Sequence, residues 1–198
     1  EKKLNALNRE LIDELHNRVI NFQNHPSVKV IVITGKGNKA FVAGADIKEF
    51  KSFSKEDAQN LSMLGKQKLF NKISNFNKPI IAAINGYALG GGLELALSCH
   101  IRVADTQAVF GLPECKLGLI PGYGATQRLP KIVGFGNAME MILTSKMVNS
   151  EDAFRMGLVN YYVQPKELTN KCLSIVKLIN KTSPEALTAA IRSINSSV

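Results

Sequence analysis

The sequence predicts an α/β fold, and three observations support it. Short apolar runs with strand character alternate along the whole chain with stretches of helical periodicity. Turn-forming clusters separate the two kinds of segment, with no low-complexity linker between them. A chain of 198 residues, 45% hydrophobic and 21% charged, is long enough to bury one sizeable core with room for a small appendage.

From Leu7 onward, Leu11, Leu15, Val19 and Phe22 recur at helical spacing and predict an amphipathic helix ending near His25-Pro26. Residues 28–34, VKVIVIT, predict a buried strand stopped by the turn-rich GKGNK. After FVAGAD the pattern predicts a helix over 54–77. Ser54 and Asp57 stand in capping-box spacing, Ala58, Leu61, Phe70, Ile73 and Phe76 line the apolar face, and Lys78-Pro79 ends it. A second apolar strand, IIAAIN (80–85), leads into a short helix opened by Gly90, Gly91 and Gly92.

Residues 100–105 and 108–110 read as further short strands. A helix over 134–145 turns Ala138, Met141 and Ile142 inward, and a shorter one opens at Ser150-Glu151-Asp152 and stops at Gly157. A strand over 158–163 and two helices follow, the last starting at Ser183-Pro184-Glu185 with proline at its first position. The expected division is a compact core over 1–145 and a helical portion over 146–198.

Composition removes several function classes. The longest apolar run, Ile80 to Ile84, is far too short to cross a bilayer, so no membrane partner is expected. Cys99, Cys115 and Cys172 are odd in number and scattered, which favours a reducing compartment over a disulfide scaffold. His16, His25 and His100 have neither HxxxH spacing nor a CxxC beside them, so no metal site is signalled. The net charge of +9 arises without a dense basic block and reads as a solubilising surface, so neither DNA nor RNA is expected to bind.

The chain has no GxxxxGK[ST], no GxGxxG and no GxSxG, which excludes the P-loop, the dinucleotide fingerprint and the nucleophile elbow. Two backbone features and two carboxylates remain. A strand running through a glycine loop into a helix presents unpaired N–H donors and the positive end of the helix dipole, a place to stabilise an oxyanion. Gly91 and Gly92 lie at that end, and AGAD (43–46) could present the Ala45 N–H likewise. Alone, GGG reads equally as a tight packing turn, and AGAD as a turn whose Asp46 caps a short helix.

Glu94 is a carboxylate among Leu93, Leu95, Ala96 and Leu97, and Glu114 follows Pro113 in GLPEC. Taken singly they are a capping-box glutamate and a turn glutamate. If the chain returns Glu114 to Glu94, two carboxyls in one apolar pocket cannot both ionise freely, and one can serve as acid and the other as base.

Five segments in one order, KLNALN, AFVAGADIKEF, KPIIAAINGYALGGGLELALSC, FGLPECKLGLIPGYGATQRLP and SEDAFRMGLVN, resemble the crotonase superfamily, specifically enoyl-CoA hydratase. The resemblance implies a crotonase-like spiral of ββα units with a helical C-terminal region, assembled as a homotrimer or dimer of trimers. It implies that Ala45 and Gly91 N–H groups form the oxyanion hole, that Glu94 and Glu114 are catalytic, and that Ala45, Asp46, Ile47, Lys48 and Gly91 line the acyl-CoA path. Lys48 and Lys51 become candidate phosphate neighbours.

The implied reaction is reversible syn hydration of a trans-2-enoyl-CoA, with the coenzyme A thioester as substrate and no cofactor. The same resemblance leaves Δ3,Δ2-enoyl-CoA isomerisation as the alternative. RNA binding, which some relatives reach through a lysine-rich helix, is disfavoured because the first helix carries Arg9 and Arg18 but no dense row of lysines. The implied compartment is the cytoplasm of a bacterium or the mitochondrial matrix of a eukaryote. Family segments are implied on both sides of residues 1–198, and Ala125 stands where GYGGTQRL would carry glycine.

Overall fold

The structure, a computed structural model, describes residues 4–44 and 65–196. Asn8 opens the first helix, α1 (Arg9–Gln23), by accepting the Leu11 N–H at 2.8 Å on its side-chain oxygen. Two short strands follow, β1 (Ile31–Thr34) and β2 (Ala40–Ala43). The predicted strand over 28–34 is thus confined to its last four residues. The part of the predicted 54–77 helix before residue 65, with Ser54, Asp57, Ala58 and Leu61, lies outside the described residues. Its visible part is a π turn (Lys66–Phe70) continuing into α2 (Asn71–Ser74), three residues short of the expected end.

Next come β3 (Ile80–Ile84), β4 (Tyr87–Leu89), α3 (Gly91–Ser98), β5 (Ile101–Asp105) and β6 (Val109–Gly111). A 3₁₀ turn (Pro113–Leu117) leads to α4 (Ala125–Val133) and α5 (Phe135–Thr144). The chain continues through β7 (Val148–Asn149), α6 (Ser150–Arg155), β8 (Tyr161–Val163), α7 (Leu168–Ile179) and α8 (Pro184–Ser196).

From β1 to β6 successive strands go alternately to two sheets, of order β1-β3-β5-β8 and β2-β4-β6-β7; β7 then joins β6 in the second sheet and β8 returns to the first. All pairings are parallel except β6 with β7. Through β6 each pair of strands adds one strand to each sheet, which winds the chain into the spiral that the sequence resemblance implies. Residues beyond 145 complete both sheets, β7 closing one and β8 the other.

β3 is buried along all five residues because both of its faces are covered. Ile80, Ala82 and Ile84 enter the main core with Phe41, Phe70, Phe76, Leu93, Leu95 and Phe110. Ile81 and Ala83, on the opposite face, pack with Leu168, Cys172 and Ile175 of α7. An unbroken apolar run is what that two-sided burial requires.

α3 belongs to this core: all eight of its residues are buried. It approaches β2 so closely that a Cβ on Gly92 would collide with the Val42 carbonyl oxygen and lie 2.8 Å from Val42 Cβ. The third glycine of GGG is thus a packing residue. Gly136 in α5 is the contrasting case, since a Cβ there meets nothing within 4 Å. Gly92→Ala should lower stability by about 2–3 kcal/mol, because backbone must move to admit the methyl group. Gly136→Ala should raise it by up to about 1 kcal/mol through helix propensity. Urea unfolding of both variants checks the pair, and equal effects would refute the packing argument.

Candidate active site

Strand register brings the site together. Ala43 of β2 pairs with Leu89 of β4, which pairs with Gly111 of β6. The next residues, Gly44, Gly90 and Leu112, therefore emerge side by side at the carboxyl ends of three parallel strands, where α/β sheets commonly build ligand sites. The Gly90 N–H donates to the Gly111 carbonyl at 2.8 Å, tying the start of α3 to the segment that leads to Glu114. Gly90 takes φ 50°, ψ −126°, a backbone conformation suited to glycine, and a Cβ on it would lie 2.8 Å from Glu114 Oε1.

Gly91 is the first residue of α3, and nothing among the described residues accepts its N–H. The Tyr123 ring and Leu7 press on its Cα: a Cβ added there would lie 3.3 Å from the ring and 3.0 Å from Leu7 Cδ1. That N–H is at the helix end where an anion is favoured. Ala45, Asp46, Ile47 and Lys48, together with Lys51, lie outside the described residues.

Glu94 is 1% exposed. Its Oε1 accepts the Tyr123 N–H at 2.8 Å and the Ala125 N–H at 2.9 Å. The capping-box reading is thereby corrected: Glu94 serves the N-terminus of the next helix, α4, because the glycines before it offer no side-chain partner. Burial pushes the Glu94 carboxyl up to about 7, with the Glu114 charge adding to the rise and the Ala125 and Tyr123 amides and Arg128 opposing it.

Glu114 sits on the 3₁₀ turn, and its carboxyl is also raised, chiefly by burial. Its Oε2 is buried and has no hydrogen-bond partner among the described residues. The expected return of Glu114 to Glu94 is realised. Two carboxyls with raised pKa values stand beside a helix N-terminus, an arrangement that can hold one proton and transfer others near neutral pH. Among the described residues no cluster could hold a metal ion, and no helix is long and apolar enough to cross a membrane.

The residues that hold Glu94 are not singled out by sequence reasoning. They are Tyr123 and Ala125, with Phe70 stacked on the Tyr123 ring at 4.4 Å and 4°. The signal that could have found them is the Gly122-Tyr123-Gly124 turn just before ATQRL.

The spiral and this site define a crotonase-fold protein. The enoyl-CoA hydratase/isomerase family model matches residues 1–198, and the chain belongs to that family. It is 42% identical over 194 residues to a short-chain-enoyl-CoA hydratase of Clostridium acetobutylicum, covering 98% of this chain and 74% of that one. It is 48% identical over 167 residues to a crotonyl-CoA hydratase of Syntrophomonas wolfei, covering 84% of this chain and 64% of that one. A crystal structure of enoyl-CoA hydratase from Bacillus anthracis superposes with a TM-score of 0.94 at 36% identity, covering 98% of this chain and 75% of that one. The chain thus spans about two thirds to three quarters of the length of these relatives.

Glu94 also sets a pH-dependent cost. Its folded-state pKa of about 7 lies above the ordinary 4.5, so the folded protein binds the proton more tightly than the unfolded chain. This contribution is full below the unfolded pKa and is lost as pH rises through the folded one. Gln at this position keeps an acceptor for the Tyr123 and Ala125 amides without the charge. Glu94→Gln should therefore melt several degrees above the native protein at pH 8 and close to it at pH 4.5, by calorimetry at both values. A variant less stable at pH 8 would refute the strained-carboxylate account.

Proposed function

We propose that the protein catalyses reversible syn hydration of a trans-2-enoyl-CoA to a 3-hydroxyacyl-CoA. The observation that carries this reading is the pairing of buried Glu94 with half-buried Glu114, whose Oε2 is itself buried, at the carboxyl ends of β4 and β6. Water between the two carboxyls would lose a proton to Glu94 as its oxygen bonds to C3. The C2–C3 π electrons move toward the thioester, and negative charge gathers on the thioester oxygen. The Gly91 N–H at the start of α3 stabilises that oxygen, with the Ala45 N–H as its implied counterpart. Glu114 then delivers its proton to C2, so that OH is added at C3 and H at C2; the proton left on Glu94 passes back to Glu114 through water, which restores the pair for the next turnover.

The surroundings of the two carboxyls suit this division of roles. Two amides on Glu94 Oε1 favour its ionised form against the burial that raises it, and Glu114 Oε2 has no donor among the described residues and can carry a proton. Asp46, Ile47 and Lys48 are proposed to line the coenzyme A path, as the resemblance implies. The reaction calls on no cofactor beyond the thioester substrate. The names of the two sequence relatives, short-chain-enoyl-CoA and crotonyl-CoA hydratase, make a short acyl chain the first substrate to try. The compartment we infer is a reducing one, bacterial cytoplasm or mitochondrial matrix, which suits the free Cys99, Cys115 and Cys172.

A homotrimer, or a dimer of trimers, is the proposed assembly. Phe135, Met139 and Leu143 form an i, i+4, i+8 stripe on α5, exposed by 73%, 50% and 68%, and Leu117, Leu119 and Ile120 are exposed on the neighbouring turn. An apolar surface of that kind marks an interaction site.

Purified protein should consume the conjugated enoyl absorbance of crotonyl-CoA, and Glu94→Gln and Glu114→Gln should each lower kcat about 10²-fold or more. Silence from a folded native sample would sink the hydratase reading. Light scattering should give three or six copies per particle, and Met139→Asp with Leu143→Asp should reduce it to one. A monomeric native protein would remove the assembly from the proposal.

A further inference from the structure

Arg128, in α4, makes three hydrogen bonds. Its Nη1 donates to the Tyr123 carbonyl at 2.8 Å, its Nη2 to Asn71 Oδ1 at 2.8 Å, and its Nε to Ser74 Oγ at 3.0 Å. Tyr123 is the residue whose amide donates to Glu94 Oε1. One peptide segment is therefore gripped by Arg128 at its carbonyl and grips the buried carboxylate at its N–H.

Two features of the backbone make room for this clamp. Gly124 has φ +110°, and a Cβ there would collide with Arg128 Nη1, so the guanidinium occupies space that only glycine leaves open. The π turn supplies the other side. The Asn71 N–H donates to the Lys66 carbonyl five residues back, and the wider turn sets Phe70 against the Tyr123 ring while Asn71 and Ser74 meet Arg128. Ring, carbonyl and amide of Tyr123 are thus all engaged.

We infer that Arg128 is a positioning residue for Glu94: through Tyr123 it fixes the carboxylate's orientation, and it supplies positive charge beside that carboxylate's support. This inference rests on Glu94 being the base of the proposed hydration. The three partners of Arg128 are neutral oxygens, so among the described residues no ion pair neutralises its charge. It opposes burial and the Glu114 charge, both of which drive Glu94 toward its neutral form. Other titratable groups on the packed elements are Lys66 and Lys68 of the π turn, Lys72 of α2, Tyr87 of β4, Cys115 and Lys116 of the 3₁₀ turn, and Lys131 of α4. None of these is among the groups that shift Glu94.

The test pairs a ¹³C NMR titration of the Glu94 side-chain carboxyl, assigned by its loss in Glu94→Gln, with kcat and KM for crotonyl-CoA. Arg128→Gln should raise the midpoint by about 0.5–1 pH unit and lower kcat about tenfold or more with little change in KM. Arg128→Lys keeps the charge but not the fork, so it should return most of the midpoint and leave kcat low. A merely structural arginine would change melting temperature and leave the midpoint where it was, and that result overturns the inference.

If Arg128→Gln does not fold, Asn71→Ala with Ser74→Ala strips two anchors and keeps the charge. That pair should still lower kcat, with the midpoint held, and an unchanged kcat overturns the clamp. The titration does not depend on turnover. A native protein inactive on crotonyl-CoA defeats the proposed function, whereas an active one with coincident midpoints defeats the role of Arg128.

Discussion

The bonds from the Tyr123 and Ala125 amides to Glu94 Oε1 hold the two halves of the site together. A carboxylate in α3 needs donors because it is buried; the Ala125 amide, first in α4, needs an acceptor because a helix N-terminus leaves it unpaired, and the Tyr123 amide two residues earlier shares the same oxygen. Each end answers the other's deficit across 31 residues of sequence. Burial still outweighs these donors, as the rise of the carboxyl to about 7 shows, so the interaction orients Glu94 without relaxing it. A fully satisfied, solvated carboxylate would be a weaker acid–base group at neutral pH.

That constraint explains why three adjacent glycines are used for three different reasons. Gly90 turns the chain with a positive φ and leaves Glu114 Oε1 room to approach. Gly91 accepts the Tyr123 ring against its Cα, and Gly92 lets α3 lie on the backbone of β2. A helix seated this deeply can carry Glu94 at the right depth only because its first turn opens without side chains. The helix-propensity cost of glycine is offset by burial of Leu93, Leu95, Ala96 and Leu97.

The legible parts of the sequence are those where local pattern and tertiary environment agree. β3 is read from an apolar run because its environment is buried, and the GGG–Glu94 anomaly is read from two local costs in one turn. β4 and β7, three and two residues long, escape a sequence reading because nothing within them specifies a strand; they exist through their pairing with β2 and β6. α4 escapes it because Pro130 reads as a breaker, yet the helix tolerates one lost donor for the burial of Ala125, Leu129 and Val133. The meeting of Glu94 with Glu114 depends on the β4–β6 register, which no local pattern encodes.

Register also makes the catalytic proposal and the fold inseparable. Parallel pairing of β2, β4 and β6 places the residues after each strand in one row, so the helix N-terminus, buried Glu94 and the turn glutamate Glu114 share one end of one sheet. A slip of one residue between β4 and β6 would turn every side chain of β6 to its other face and carry Glu114 away from Gly90. Phe110, fully buried in the main core, opposes such a slip, because its neighbours in β6 could not replace it there. The same aromatic packing that stabilises the spiral therefore sets the distance between the two carboxyls. Acid–base geometry in this protein is decided by strand register before any side chain of the site adopts its rotamer.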